Sequence, residues 1–226
     1  MSFPIFRAWI WLVGVCASLN LGTVAPASTP AFPLVAGAGK RHLVDQRGVP
    51  FFVMGDTPWF LQKLPLADVR RVMDDRLAKG FNTLFLELLD DSRIPSRDGL
   101  GHVAFEPATD ITRPVEAYWD YAEAVLDEAE QRGFFVILSE LWYGYGQGLW
   151  MHHIDPDKTR VYAAFLGKRF ARFRNLMWMH AGDRNPDANL DACTPVLRVT
   201  APARACGDGN PTGARPCRSG RFAKRL

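Results

Sequence analysis

One pattern constrains this chain more than any other. An amphipathic helix, a glycine and a short apolar run follow one another, and then the cycle repeats. Between Pro65 and Lys79, the residues Leu66, Val69, Val72, Met73 and Leu77 recur at the spacing of one helix face, and Gly80 follows as a stop signal. Asn82 to Leu88 reads as a strand rich in Leu and Phe. The next helix is predicted over Ala117 to Arg132, with Tyr121, Val125, Leu126 and Ala129 on one face and Gly133 after it. Phe134 to Ser139 is then continuously apolar. A third helix is predicted over Asp157 to Phe173, and a short strand over Leu176 to Met179, with Gly182-Asp183 just beyond. Strands that are apolar on both faces mark a parallel sheet covered by helices. Alternating β and α elements give an α/β fold with right-handed crossovers.

Ahead of the repeat, His42-Leu43-Val44-Asp45 and Phe51-Phe52-Val53-Met54 flank Gln46-Arg47-Gly48, which predicts a short N-terminal hairpin. Gly55-Asp56-Thr57 is read as the break that ends its second strand. An open doubly wound sheet would want a glycine-rich phosphate loop at that point. The chain has Gly55-Asp56-Thr57-Pro58-Trp59 instead. Acids and aromatics gather after each strand: Asp56 and Trp59; Glu87, Asp90 and Asp91; Glu140, Trp142 and Tyr143; Asp183. In a (β/α)8 TIM barrel those positions form the catalytic face. The expectation is therefore a partial (β/α)8 barrel of about four βα units.

The ends of the chain differ from its middle. An apolar run from Ala8 to Leu21 follows the single charge Arg7, and Ala25-Pro26-Ala27 offers a cleavage site, so residues 1–27 read as an export signal. Bulky Val15 disfavours a lipoprotein anchor at Cys16. Secretion or periplasmic residence is expected, with no stable membrane insertion once the signal is removed. Residues 28–39, rich in Pro, Ala and Gly, read as a linker, and residues 40–189 as the catalytic-type domain. After Asn189 the composition changes to Arg, Ala, Pro, Gly and Cys with one aromatic, Phe222, and no visible period. Such a segment cannot bury enough apolar surface to offset the cost of ordering it. Residues 190–226 are expected to be a disordered basic tail, either natural or the product of a frameshift in a GC-rich gene.

Net charge gives no sign of a nucleic-acid surface. The formal value is +3, but residues 190–226 hold seven basic and two acidic side chains. With Arg7 also set aside, residues 28–189 are net negative. Cys193, Cys206 and Cys217 crowd into the tail without metal-like spacing, and residues 28–189 contain no cysteine. His152-His153 fits no metal-binding pattern, so neither a metal nor a cofactor is expected.

Cleaving a glycosidic bond takes two carboxylates, and flat aromatic rings suit the C–H faces of sugars. Asp183 ranks first as acid/base from its place after the fourth parallel strand, although an Asp before Pro186 also suits a turn. Arg184 beside it could orient a carboxylate. Asp56 reads either as a hydrogen-bond partner for a sugar hydroxyl beside Trp59 or as an Asx turn. Glu87 shares strand parity with Thr83 and Phe85, so it either points into a barrel or sits in a solvated loop. Asp90-Asp91 reads as a solvated pair. Glu140 opens the loop Leu141–Trp150, whose Gly144, Gly146 and Gly148 favour a binding loop with Trp142 and Tyr143 rather than core, serving either as a substrate contact or as a packed lid.

These stretches resemble the apiosidase-like glycoside hydrolases, glycoside hydrolase family 140. The resemblance is carried by His42-Leu43-Val44-Asp45, Gly48-Val49-Pro50-Phe51-Phe52, Gly55-Asp56-Thr57-Pro58-Trp59 and Asp75 to Asn82. Phe165 to Phe170 and Gly182-Asp183-Arg184-Asn185-Pro186 complete it, in the family's order over about residues 36–187. It implies a TIM barrel, export, and hydrolysis of plant pectic polysaccharide, with release of apiose from a pectin side chain as the characterised activity. It implies Asp183 as the acid/base, and a substrate face that includes Asp56 and Trp59. Glu87, Glu140, Trp142 and Arg184 complete the candidate binding set. The family's nucleophile is a glutamate on a later strand, and this sequence has no glutamate after Glu140. The expected protein is an exported glycosidase-like domain, truncated after the fourth strand and inactive alone. A non-catalytic carbohydrate-binding protein is the alternative. Its partner would be a cell-wall polysaccharide or oligosaccharide, and open sheet edges would favour self-association.

Overall fold

The computed structural model describes residues 29–90, 92–142 and 149–179. Two sheets are present among them. The first is small and antiparallel, with order β1-β2-β3: β1 (Val35–Ala36), β2 (Leu43–Val44) and β3 (Pro50–Phe51). The second is parallel, with order β4-β5-β6-β7: β4 (Gly55–Asp56), β5 (Thr83–Glu87), β6 (Phe135–Ser139) and β7 (Leu176–Met179). Its crossovers run through helices α1 (Leu66–Ala78), α2 (Glu116–Gln131) and α3 (Pro156–Arg169).

The repeat seen in the sequence has a specific local cause. Helices α1 and α2 end in the same motif. Gly80 and Gly133 take positive φ (84° and 74°) just past the C-cap. Their N–H groups donate to Leu77 O and Glu130 O, both at 2.9 Å. The N–H groups of Phe81 and Phe134 donate to Arg76 O and Ala129 O, both at 3.0 Å. This is the Schellman arrangement, in which glycine avoids the Cβ strain of the left-handed region and the last carbonyls find donors. The phenylalanine after each glycine then leads into the next strand. Helix α3 has a different start signal. Asp155 caps it, accepting from Asp157 N and Lys158 N at 2.9 Å each, with Pro156 in the first turn. It stops at Arg169 rather than Phe173, because the chain turns at Phe170 and buries both phenylalanines.

Strand alternation separates the two faces of the parallel sheet. Leu84, Leu86, Val136 and Leu138 join Val69 and Met73 of α1, seven positions of α2, and Tyr162 and Leu166 of α3 in one buried cluster. All three helices therefore cover one face. A doubly wound sheet would carry helices on both faces and reverse its strand order. The sequential order here is that of a TIM-barrel-like α/β fold. The other face carries Thr83, Phe85 and Glu87 in register with Phe135, Ile137 and Ser139, followed by Met177 and Met179.

The N-terminal segment differs from its expected layout. Residues 29–39 do not form a free linker. Ala31 N donates to the Asp45 carboxylate at 3.1 Å, β1 pairs with β2, and Phe32 stacks on Phe135 with ring centroids 6.1 Å apart. Phe51 meets the same ring edge-on at 5.7 Å. The small sheet thus seals the N-terminal end of the face that the helices leave uncovered. Gly55-Asp56 does not merely end a hairpin strand; it is the first parallel strand, aligned with Thr83-Leu84. Its glycine is required by packing, since a Cβ on Gly55 would lie 2.6 Å from the Phe85 ring. Among the described residues, no helix is long and apolar enough to cross a membrane.

Candidate functional site

The ends of β4, β5 and β6 bring three of the expected residues together. Glu87 is the last residue of β5 and only 3% exposed. Its strand parity is that of Phe85, so it belongs to the face opposite the helices, and the loop reading of Glu87 does not hold. Its N–H donates to Trp59 O at 2.8 Å, which fixes the segment after β4 against the end of β5. The Trp59 ring packs edge-on to Phe85, with centroids 6.1 Å apart, and tilts at 57° against Trp142 with centroids 4.7 Å apart. Phe85, Trp59 and Trp142 form an aromatic wall, with a buried carboxylate at one end of it.

Two other expected residues are placed differently. Asp56 pairs in register with Leu84, and so takes the parity of the helix-facing side. Its carboxylate is held by the Arg76 guanidinium of α1, which also holds Asp75. These bonds raise the Arg76 pKa: hydrogen bonding to Asp56 favours the charged guanidinium, against a smaller opposing effect of burial. Asp56 is therefore engaged by the helical layer, not grouped with Trp59 and Glu87. Glu140 is 3% exposed and follows β6. Its backbone carbonyl accepts from the Tyr162 hydroxyl of α3 at 2.9 Å. Burial, reinforced by the Glu140 charge, pushes the Tyr162 hydroxyl well above its ordinary pKa and keeps it a neutral donor. Asp183, Arg184 and Tyr143 lie outside the described residues.

Two loop readings are corrected. Asp90 is not a solvated loop residue: it is 2% exposed and forms an ion pair with Lys63. Its carboxylate also accepts from Ser92 N at 3.0 Å and Ser92 Oγ at 2.6 Å. Burial works against that charge, but the hydrogen bonds from Lys63 and Ser92 outweigh it, and Asp90 titrates below the ordinary carboxylate range. Trp150 is not a binding-loop aromatic. It lies in the core against Phe105, and its indole N–H donates to Asp90 O at 2.8 Å. The spacing of glycines gave the wrong reading at Leu141 and Trp150, because both side chains belong to the core. An Asp two residues before a Ser is an Asx-turn signature, and that signal could have found Asp90.

Sequence reading also missed the polar residues behind the wall. Gln62 donates to Glu87 O, and the Tyr118 hydroxyl donates to Leu88 O. The Asp90 N–H donates to Ser96 Oγ at 3.0 Å, which in turn lies 3.1 Å from Tyr118 Oη. No sequence period marks these positions. Among the described residues, no three His, Cys, Asp or Glu side chains come together as a metal cluster would require.

Comparison with known proteins places this geometry in a family. The family model described as "Apiosidase-like, catalytic domain" matches residues 37–211. A solved structure of a glycoside hydrolase family 5 protein from Bacteroides vulgatus superposes with TM-score 0.64 at 24% identity, covering 74% of this chain and 36% of its own. Another, described as a glycoside hydrolase, gives TM-score 0.65 at 22% identity, with 75% and 38% covered. A putative glycoside hydrolase from Bacteroides vulgatus gives 0.59 at 16% identity, with 78% and 38% covered. At these identities the likeness is one of fold, and the chain spans little more than a third of the length of these structures. No curated protein matches the chain. The matched residues include the whole parallel sheet, strands β2 and β3 of the small sheet, all three helices and the aromatic wall, and the chain belongs to the apiosidase-like catalytic-domain family of glycoside hydrolase-like proteins.

Proposed function

We propose that this chain is the substrate-binding part of an exported glycoside hydrolase that acts on plant pectic polysaccharide. Trp59 and Trp142 supply the platform for a sugar ring, and Glu87 supplies a hydrogen-bond acceptor for a hydroxyl at its edge. Asp183, with Arg184 beside it, serves as the general acid/base. The contact between Trp59 and Trp142, 4.7 Å between centroids and adjacent to a buried glutamate, is the observation that carries this reading. Apolar C–H faces of sugars stack on such rings, and a carboxylate in a partly dry site accepts hydroxyl protons strongly. The apolar run ahead of Ala25-Pro26-Ala27 supports export.

A retaining mechanism needs a second carboxylate as nucleophile. The 226 residues contain no glutamate after Glu140. Sugar binding and the acid/base role are what the residues of this chain supply. Calorimetric titration with oligosaccharides from a pectin digest tests the reading. Binding should be measurable, and Trp59→Ala should weaken it about tenfold, the loss of one aromatic contact. A wild-type chain that binds none of the digest would end the proposal. Release of reducing sugar, abolished by Asp183→Ala, would identify the acid/base.

A further inference from the structure

The ion pair between partly exposed Lys63 and buried Asp90 joins the segments that carry the aromatic wall. Lys63 closes the short 3-10 turn Leu61–Lys63, four positions after Trp59. Asp90 lies three positions after Glu87, and its side chain is 3% exposed. One carboxylate oxygen takes Lys63, and the other takes both donors of Ser92. The Asp90 backbone is used as well: its N–H reaches Ser96 Oγ, and its carbonyl accepts from Trp150, which follows β6. Segments after β4, β5 and β6 therefore converge on one residue. The Lys63 ammonium also lies 3.9 Å from the centroid of the Phe60 ring, next to Trp59 in sequence.

We propose that Lys63 and Asp90 are positioning residues of the binding face: their ion pair sets the pose of Trp59 against Trp142 without itself touching the sugar. The physical argument is one of alternatives. A carboxylate this deeply buried must keep its cationic partner, because leaving it uncompensated is far costlier than the pair itself. The turn Leu61–Lys63 cannot move away from Asp90 without breaking that pair. Trp59 is further held by its carbonyl, which accepts from Glu87 N at 2.8 Å. Two anchors, one on either side of the short run from Trp59 to Lys63, fix the direction in which the indole leaves the backbone. With Lys63 released, the segment is still held by the Glu87 hydrogen bond, by buried Leu61, and by Gly99 N and Tyr121 Oη donating to Gln62 O and Leu64 O, but the one side-chain tie from the turn to Asp90 is gone and the pose of Trp59 changes.

This inference rests on the wall being the binding surface, but its primary readout needs no sugar. Two indoles 4.7 Å apart couple their transitions, so the near-ultraviolet circular dichroism should contain a Trp59–Trp142 component. Subtracting the spectrum of Trp142→Phe isolates it from the other tryptophans. The double variant Lys63→Met/Asp90→Asn removes both charges and so avoids leaving one buried alone. It should melt cooperatively, lose the coupled component, and bind the pectin digest about tenfold more weakly. Lys63→Arg, which restores the cation, should keep both signals. An unchanged coupled component in the double variant would overturn the proposal, as would weaker binding with that component intact. If the double variant does not fold, Asp90→Asn alone, which leaves only the partly exposed Lys63 unpaired, is read the same way. If the wild type binds no sugar, the proposed function fails while the circular dichroism still decides the positioning role.

Discussion

Leu84 and Leu86 look toward the helices, while Phe85 and Glu87, interleaved with them on the same strand, look the other way. Their surroundings are opposite. On the helical side, Trp119 and its aromatic neighbours Phe105, Tyr118, Tyr162 and Phe165 exclude solvent, and the Trp119 indole N–H is satisfied by Ala104 O at 3.1 Å. The far side is sealed at its N-terminal end by Phe32 and Phe51 over Phe135. Toward the strand ends it becomes polar and aromatic, with Glu87, Ser139 and the Trp59–Trp142 pair. The edge strand β7 adds half-exposed Met177. One set of strands thus separates two tasks by parity alone: alternate residues supply stability on one face and the proposed binding surface on the other.

That separation is broken most severely from the helical side. Trp119 is fully buried, and its ring meets Phe105, Tyr118, Tyr162 and Phe165 at centroid distances of 5.1–5.9 Å. Trp119→Ala should lower stability by about 3–5 kcal/mol, through lost transfer free energy plus the cavity left behind. Chemical denaturation measures it. A loss below about 1 kcal/mol would mean that the helical face is not the dry core described.

How much of this was legible depended on whether a residue's role is periodic. The helix–Gly–Phe repeat could be read directly, because the Schellman closure needs glycine at one position and the core needs apolar residues at fixed spacings. Glu87 was legible by parity with Phe85. Asp56 was not, because its ion pair with Arg76 depends on the register of a two-residue strand against β5. That strand was mistaken for a break, since Gly55 serves the Phe85 ring rather than a turn. Asp90 and Trp150 were misread for a related reason. Loop composition predicts solvent, but here the loops fold back over the strand ends and bury each other's polar groups. Pairings of that kind leave no repeating mark in a sequence.

The next prediction concerns the polar side of the comparison, where a charge is buried. The Asp90 pKa is lowered in the folded state from its ordinary 3.8. The unfolded state therefore takes up a proton first as pH falls. The stabilisation is complete above the unfolded carboxylate pKa and is lost as pH drops through the lower folded value. Lys63 and Ser92 are the groups that hold the charge, and burial opposes them. Urea midpoints measured from neutral pH down through this window should fall less steeply in Asp90→Asn than in the wild type. Equal slopes would show that Asp90 contributes nothing to acid sensitivity.

The smallest effect sharpens the contrast between ion pairs on the two sides. Arg160 and Asp157 pair at 2.6 Å on the outer surface of α3, with side chains 60% and 91% exposed. The atoms are as close as in many buried pairs. Water, however, screens the charges, and ordering two long side chains offsets most of the gain. Arg160→Ala should therefore change stability by less than about 0.5 kcal/mol and leave carbohydrate binding unaltered. Charge removal at Lys63 should alter the tryptophan coupling although its partner is equally a single carboxylate. If Arg160→Ala and Lys63→Gln gave the same small response in melting and in circular dichroism, burial would not be what distinguishes them. The division of the sheet into a structural face and a recognition face would then have to rest on shape alone.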